Sequence, residues 1–318
     1  MLFAILFLLL GFLLVTKGAD FLVDGASSLA TKFNVSALVI GLTIVAFGTS
    51  LPELTVNIFS SLEGANELTI GNILGSNMAN TLLILGVAGL ICPLVLKRAT
   101  VWKEIPFALL AVVVLGILAN DKLFDFREFS QISRIDGFIL IAFFIIFLVY
   151  AFGKERKEEE EEDGVKEYSL LISILFISAG AAALFLGGKW IVDSAVSITT
   201  RLGMSQSFVG LTIVAIGTSV PELATSAIAA YKKKPDIAIG NIIGSNIFNI
   251  FWVLGVSSLI RPIDFQLTLN TDVIILAVIT LLLLVFIHSG RPHKLDRWES
   301  GILLGGYLAY IVFLFYRG

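Results

Sequence analysis

The hexapeptide GTSLPE at Gly48–Glu53 recurs as GTSVPE at Gly217–Glu222, each copy inside a long apolar stretch. The copies lie 169 residues apart, and that offset holds without insertion or deletion from about Gly18/Gly187 to Pro93/Pro262. Between Gly41–Leu54 and Gly210–Leu223, twelve of fourteen residues are identical. A proline and a glutamate at bilayer depth are both costly, and here the cost recurs at equivalent places. A duplicated intramembrane carboxylate points to a binding centre between two halves of a membrane protein.

The rest of the chain fits that environment. Hydrophobic residues make up 57% and charged residues 15%, with a mean hydropathy of +0.95, far outside the range of soluble domains. Ten apolar segments lie near Leu2–Val23, Ser36–Ser60, Leu68–Ile91, Ile105–Ala119, Ile135–Phe152, Ser169–Val192, Ser205–Ala230, Asp236–Ile260, Thr271–His288 and Ser300–Tyr316. Most can cross roughly 30 Å of hydrocarbon as helices, the fourth being short. Apolar runs such as Ile274–Ile287 exclude a β-barrel, whose strands alternate. The N-terminus lacks a basic leader and an A-x-A-like cleavage site, so it reads as a retained first helix. Cys92 is the only cysteine, so no intramolecular disulfide is possible.

The segments form two sets of five, residues 1–152 and 168–318, joined by residues 153–167. That linker carries KERKEEEEEDGVKE, a run with no apolar face that reads as a solvated cytoplasmic loop or short helix. Consecutive acids without a glycine turn do not make a calcium loop. With the N-terminus outside, the internal loops hold fourteen Lys and Arg residues and the external ones six. This bias places both termini outside and the linker inside. Five is odd, so the second set enters from the opposite side. The expected fold is an all-α membrane protein with ten transmembrane helices, built as two inverted five-helix repeats about an axis in the membrane plane.

The motif then defines a chemistry. Pro52 has no N–H and opposes the carbonyl of Gly48, and Pro221 does the same to Gly217. Thr49, Ser50, Thr218 and Ser219 supply hydroxyls at each break, and Glu53 and Glu222 supply carboxylates one residue past each proline. Oxygen-only ligation suits sodium, calcium or magnesium and disfavours zinc, copper and iron. Calcium takes about six to eight oxygens, which two bidentate glutamates and one carbonyl from each break, Thr49 and Thr218, begin to supply. Several sodium ions can displace one calcium ion from the same oxygens. If the two acids served structure alone, glutamine would do so at lower cost.

A second matched pair, GNILGSNMAN at Gly71–Asn80 and GNIIGSNIFN at Gly240–Asn249, opens the third and eighth segments. Asn72, Ser76 and Asn80 line one helical face, as do Asn241, Ser245 and Asn249. Gly71/Gly75 and Gly240/Gly244 allow close helix approach. The plainer alternative is that these amides only join helices, at about 0.6 kcal/mol per contact. The ligand reading is favoured for Ser76, Asn80, Ser245 and Asn249, while Asn72, Asn77, Asn241 and Asn246 stay open between the two. Asp20, Asp24, Lys189 and Asp193 read as interfacial residues. His288 and His293 sit at a loop boundary without a partner in register.

These paired motifs resemble the alpha repeats of the calcium/cation antiporter superfamily, specifically its sodium/calcium exchanger branch, over nearly the whole chain. The resemblance implies ion ligation by Thr49, Ser50, Glu53, Ser76 and Asn80, and by Thr218, Ser219, Glu222, Ser245 and Asn249. It adds the backbone carbonyls of Ala46 and Ala215, and a sliding of the first and sixth helices that gives access alternately from each side. Members of that branch often carry Asp where this chain has Asn249, leaving two carboxylates instead of three and the stoichiometry open. Proton-coupled relatives place an acid where Gly75 and Gly244 sit.

The expected function is secondary antiport of Ca2+ against Na+ by alternating access. The alternatives are cation/proton antiport and a cation sensor that does not transport. No enzymatic motif is present: the chain has no HExxH or GxSxG and no usable histidine. No cofactor and no nucleic-acid partner are expected. The expected partners are the lipid bilayer and the transported Ca2+ and Na+, with a monomer as the working unit in a prokaryotic plasma membrane.

Overall fold

The computed structural model describes residues 2–96, 100–124, 128–154, 167–201, 215–289 and 293–317. Most of the linker expected over 153–167, and the first part of the segment expected at Ser205–Ala230, lie outside the described residues. In chain order the helices are α1 (Leu2–Phe33), α2 (Ala37–Thr49), α3 (Leu51–Glu63), α4 (Asn66–Ile91), α5 (Thr100–Leu118) and α6 (Arg134–Lys154). The second half repeats the set as α7 (Leu170–Arg201), α8 (Ala215–Thr218), α9 (Val220–Tyr231), α10 (Pro235–Ile260), α11 (Asn270–Ser289) and α12 (Arg297–Arg317). Among the described residues, eight helices are long and apolar enough to cross a membrane, and α2 with α3 forms a ninth crossing bent by 48°.

The tenth crossing follows from two small strand pairs. β1 (Leu94–Val95) pairs with β4 (Lys294–Leu295), and β2 (Gln131–Ile132) pairs with β3 (Ile263–Asp264). Paired strands share one side of the membrane, so an even number of crossings separates each pair. Between β2 and β3 the chain contains α6, α7 and α10, which makes three. An even total therefore needs one further crossing between α7 and α10, where α8 and α9 lie. Odd repeats of five follow, and the halves are inverted.

The pairing of α1 with α7 shows the symmetry axis. Their backbones touch at glycines: a Cβ on Gly11 would lie 2.9 Å from the Gly187 carbonyl oxygen, and one on Gly18 would lie 2.9 Å from that of Gly180. The residue sums are equal, so the helices are antiparallel. Gly11 and Gly180 are repeat equivalents, as are Gly18 and Gly187, so exchanging the halves maps this contact onto itself. A two-fold axis relating two membrane-crossing antiparallel helices lies in the membrane plane.

Both α1 and α7 run 32 residues, about 48 Å at 1.5 Å per residue, so they exceed the hydrocarbon thickness and cross at a tilt. The sequence reading ended the first segment at Val23. The helix continues because the acids on either side of Phe21 find a cation: Lys232 Nζ, just past α9, pairs with Asp20 and lies 2.7 Å from Asp24 Oδ1. Two separate apolar clusters form. One joins α1 to parts of α2, α7, α9 and the start of α10, including Ala19, Leu22, Leu184 and Ile237. The larger one fills the space among α4, α5, α6, α10, α11 and α12.

Candidate cation site at the repeat interface

Each broken crossing turns at a serine. Ser50 (φ −84°, ψ 11°) separates α2 from α3, and Ser219 (φ −86°, ψ 5°) separates α8 from α9. Pro52 and Pro221 fall in the first turn of the new helix, where a missing N–H costs nothing. The helix restarts at once, with Leu54 N–H donating to the Ser50 carbonyl at 3.1 Å and Leu223 N–H to that of Ser219 at 3.0 Å. Glu53 and Glu222 follow, both buried in the first turns of α3 and α9, where the helix dipole favours negative charge.

The two carboxylates are held across the repeat interface. Ser50 Oγ donates to Glu222 Oε1 at 2.9 Å and lies 3.1 Å from Ser245 Oγ. In the equivalent contact, Ser219 Oγ donates to Glu53 Oε1 at 3.5 Å, joined by Ser76 Oγ at 3.4 Å. Thr49 Oγ1 donates to Asn241 Oδ1 at 3.0 Å, and Thr218 Oγ1 to Asn72 Oδ1 at 3.4 Å. Eight of the ten side chains singled out by the motif pairs, Thr49, Ser50, Glu53, Ser76, Thr218, Ser219, Glu222 and Ser245, are therefore brought to the contact between the two repeats. The Ala46 carbonyl accepts Ser50 N–H at 3.0 Å and Thr49 Oγ1 at 3.3 Å, and Ala215 opens α8 at the edge of the described residues.

Asn80 and Asn249 occupy a widened turn. Ala79–Ile84 and Asn249–Val253 are π-helical, with the Leu85 and Leu254 N–H groups reaching back to the Asn80 and Asn249 carbonyls. Such bulges are frequent at functional sites. Asn249 Nδ2 donates to Asn77 Oδ1 at 3.1 Å, and Asn80 Nδ2 to Asn246 Oδ1 at 3.1 Å.

Of the buried side-chain oxygens left without a hydrogen-bond partner, four belong to the residues singled out by the motif pairs: Glu53 Oε2, Glu222 Oε2, Asn80 Oδ1 and Asn249 Oδ1. They form two repeat-equivalent pairs. A buried acceptor left alone costs about 1–3 kcal/mol, and more when charged. Two carboxylate and two amide oxygens, with serine hydroxyls on the other oxygen of each carboxylate, make a hard-oxygen set of the kind that suits a cation. No group of three or more His, Cys, Asp or Glu residues that could hold a metal ion is found among the described residues, and the charge of this set comes from the two glutamates.

The residues left open by the sequence take supporting places. Asn72 Nδ2 donates to the Glu53 carbonyl at 3.5 Å and to Asn57 Oδ1 at 2.6 Å; Asn241 Nδ2 donates to the Glu222 carbonyl at 3.5 Å and to Ser226 Oγ at 3.0 Å. Asn57 and Ser226 went unremarked in the sequence, although each stands four residues beyond its glutamate and so on the same helical face. His293 lies in the turn before β4, and the His288 side chain is outside the described residues.

The family model described as "Sodium/calcium exchanger protein" matches residues 3–153 and 172–316. The chain is 37% identical to the putative antiporter CaxA of Alkalimonas amylolytica, covering 99% of both chains. It is 33% identical to the sodium/calcium exchanger MaX1 of Methanosarcina acetivorans, covering 98% of each. Among solved structures, the sodium-calcium exchanger NCX_Mj soaked with Na+ and Ca2+ superposes with a TM-score of 0.85 at 32% identity, covering 98% of both chains. Two inverted repeats, a paired oxygen site between them and full-length likeness agree: the chain belongs to the sodium/calcium exchanger family.

Proposed function

We propose that this protein exchanges Ca2+ for Na+ across the membrane, with the repeat interface as its ion site. The observation that carries the reading is the set of four unpartnered buried oxygens, two from Glu53 and Glu222 and two from Asn80 and Asn249, related in pairs by the inverted repeat. Hard oxygens and a charge of two suit one Ca2+, and the same oxygens suit smaller charge carried by Na+. Thr49, Ser50, Ser76, Thr218, Ser219 and Ser245, with the Ala46 and Ala215 carbonyls, complete the shell by rearranging toward the ion. Because Glu53 and Glu222 are shared, Ca2+ and the full Na+ load exclude one another, and that competition couples the fluxes.

Access alternates as α1 and α7 move together against the remaining helices. The glycine-to-glycine contact that makes α1 and α7 one unit supports this reading. The protein works as a monomeric transporter without enzymatic activity, in a prokaryotic plasma membrane. Both termini face outward, and residues 153–167 form a cytoplasmic link between repeats 1–152 and 168–318. The test is radiocalcium uptake into proteoliposomes under an imposed Na+ gradient or an imposed pH gradient. Uptake driven by Na+ supports the exchange. Uptake driven only by pH would assign proton coupling, and binding without uptake a sensor.

A further inference from the structure

Asn57 and Ser226 stand one helical turn beyond Glu53 and Glu222, wholly buried, and neither belongs to the motif pairs. A backbone carbonyl can only accept a hydrogen bond, and that fixes which way the neighbouring amides point. Asn57 Nδ2 donates to the Thr69 carbonyl at 3.1 Å, so Asn57 turns its oxygen to Asn72. Asn72 meets that oxygen with its nitrogen, at 2.6 Å, and the same nitrogen faces the Glu53 carbonyl. The Asn72 oxygen is left for Thr218 Oγ1 of the other repeat, which donates to it at 3.4 Å. The second repeat builds the same relay on a serine. Asn241 Nδ2 meets the Ser226 hydroxyl at 3.0 Å and the Glu222 carbonyl at 3.5 Å, and Asn241 Oδ1 accepts Thr49 Oγ1 at 3.0 Å.

The relays decide what the threonines offer. A hydroxyl has one proton and two lone pairs. The Thr49 proton is drawn to Asn241 Oδ1, with the Ala46 carbonyl at 3.3 Å as a second acceptor, so its lone pairs are free to turn elsewhere. Thr49 adjoins Ser50, which holds Glu222, and Thr218 adjoins Ser219, which holds Glu53. Each relay thus begins one turn past a glutamate and ends beside the serine that holds that same glutamate. An asparagine turned the other way would take a threonine lone pair with its nitrogen and bring the positive end of a dipole to the site. We propose that Asn57 and Ser226 are positioning residues: they lock the amides of Asn72 and Asn241 so that Thr218 and Thr49, each in the opposite repeat, present oxygen lone pairs to the cation. The proposal rests on the reading of this interface as the ion site of the exchanger.

Equilibrium radiocalcium binding to the full-length protein in detergent tests this role without requiring transport. Ser226→Ala, nearly isosteric, is expected to raise the half-saturating Ca2+ concentration roughly 10–100-fold, as loss of a supporting partner does at metal sites. Na+-driven uptake in proteoliposomes should show the same rise in half-saturation, with a smaller change in maximal rate. A serine that served structure alone would lower the ion-free Tm and leave half-saturation in place, and that result overturns the proposal. The repeat supplies its own control: Asn57→Ser copies the residue of the other half and should recover most of the affinity that Asn57→Ala loses. Equal half-saturation in Asn57→Ala and wild type overturns the proposal, and this pair decides should Ser226→Ala not fold. Wild-type protein that binds Ca2+ but takes up none under a Na+ gradient would overturn the exchange reading and leave the binding comparison to decide the relay. Wild-type protein that binds no Ca2+ overturns both.

Discussion

Ser50 donates its hydroxyl to Glu222 from 172 residues away, so the carboxylate of one repeat is held by the corner serine of the other. Ser219 returns the contact to Glu53. Neither glutamate therefore belongs to one half alone, and a change at either should be felt by both.

Substitution of the acids gives the first prediction. Glu53→Gln and Glu222→Gln keep shape and remove charge. Withdrawing one partner from a buried charge set costs about 3–5 kcal/mol, which for Ca2+ binding is roughly 10²–10⁴-fold. Na+-driven radiocalcium uptake is expected to fall by at least about 100-fold in each variant. Uptake close to wild type in both would remove these residues from the ion path.

Ion removal gives the second. A cation that binds only the folded protein stabilises it by about 2.7 kcal/mol at a hundred times its dissociation constant. Without a cation the two carboxylates share one buried interface with unpartnered oxygens. Adding Ca2+ to the detergent-solubilised protein should raise Tm by several degrees, and a chelator should reverse it. In Glu53→Gln the Ca2+-dependent rise should vanish, while the ion-free Tm stays level or rises because a buried charge is gone. An equal Ca2+ response in the variant would separate the stabilising site from Glu53.

Much of this arrangement was legible in the chain because duplication makes residues testify twice. Apolar length gave the crossings, odd count gave the inversion, and Pro52 with Pro221 located the breaks. Two features were not legible. The break falls at Ser50, so Pro52 sits in the first turn of a new helix, because a helix N-terminus tolerates proline where a helix interior does not. The crossed asparagines were also hidden. Asn77 braces Asn249 and Asn246 braces Asn80, and such pairing depends on how α4 packs on α10, which spacing within either helix does not encode. The length of α1 escaped for a related reason, since Lys232 neutralises Asp20 and Asp24 from the far half of the chain.

The glycine seam gives the third prediction. In Gly18→Val the first added carbon would already meet the Gly180 carbonyl oxygen at 2.9 Å, and backbone cannot yield as a side chain can. Overpacking of this kind costs about 1–3 kcal/mol, so Tm should fall and transport should fall with it. Gly301→Ala on α12 is the control, because nothing lies within 4 Å of its added carbon. There the gain in helix propensity, about 0.5–1 kcal/mol, should leave Tm level or slightly higher. Equal Tm losses in the two variants would deny the seam a special role.

The fourth prediction concerns a tie that the inverted repeat does not duplicate. Lys232 lies 2.7 Å from Asp24 and also pairs with Asp20, and Lys234 Nζ donates to Ser27 Oγ at 2.7 Å, so the C-terminal part of α1 is fastened to the end of α9. The repeat equivalents of Asp20, Asp24 and Lys232 are Lys189, Asp193 and Glu63, with charges partly reversed, and Lys189 and Glu63 form no ion pair among the described residues. Instead α7 lies over both breaks, with Gly48 facing Ala181 and Gly217 facing Val192. Burial opposes the Lys232 charge, but hydrogen bonds and attraction from Asp20 and Asp24 prevail and raise its pKa above 10.5. A raised lysine pKa contributes its stability below the unfolded value and loses it only as pH climbs through the folded one. The tie should therefore hold unchanged across neutral pH. A partly exposed pair of this kind is worth up to about 1 kcal/mol, or roughly fivefold in an equilibrium. Lys232→Gln should loosen this face by about that factor, read as faster hydrogen exchange over Asp20–Phe33 and Ser226–Tyr231 with little change elsewhere. Exchange unchanged in those two segments would mean that the ion pair fastens nothing.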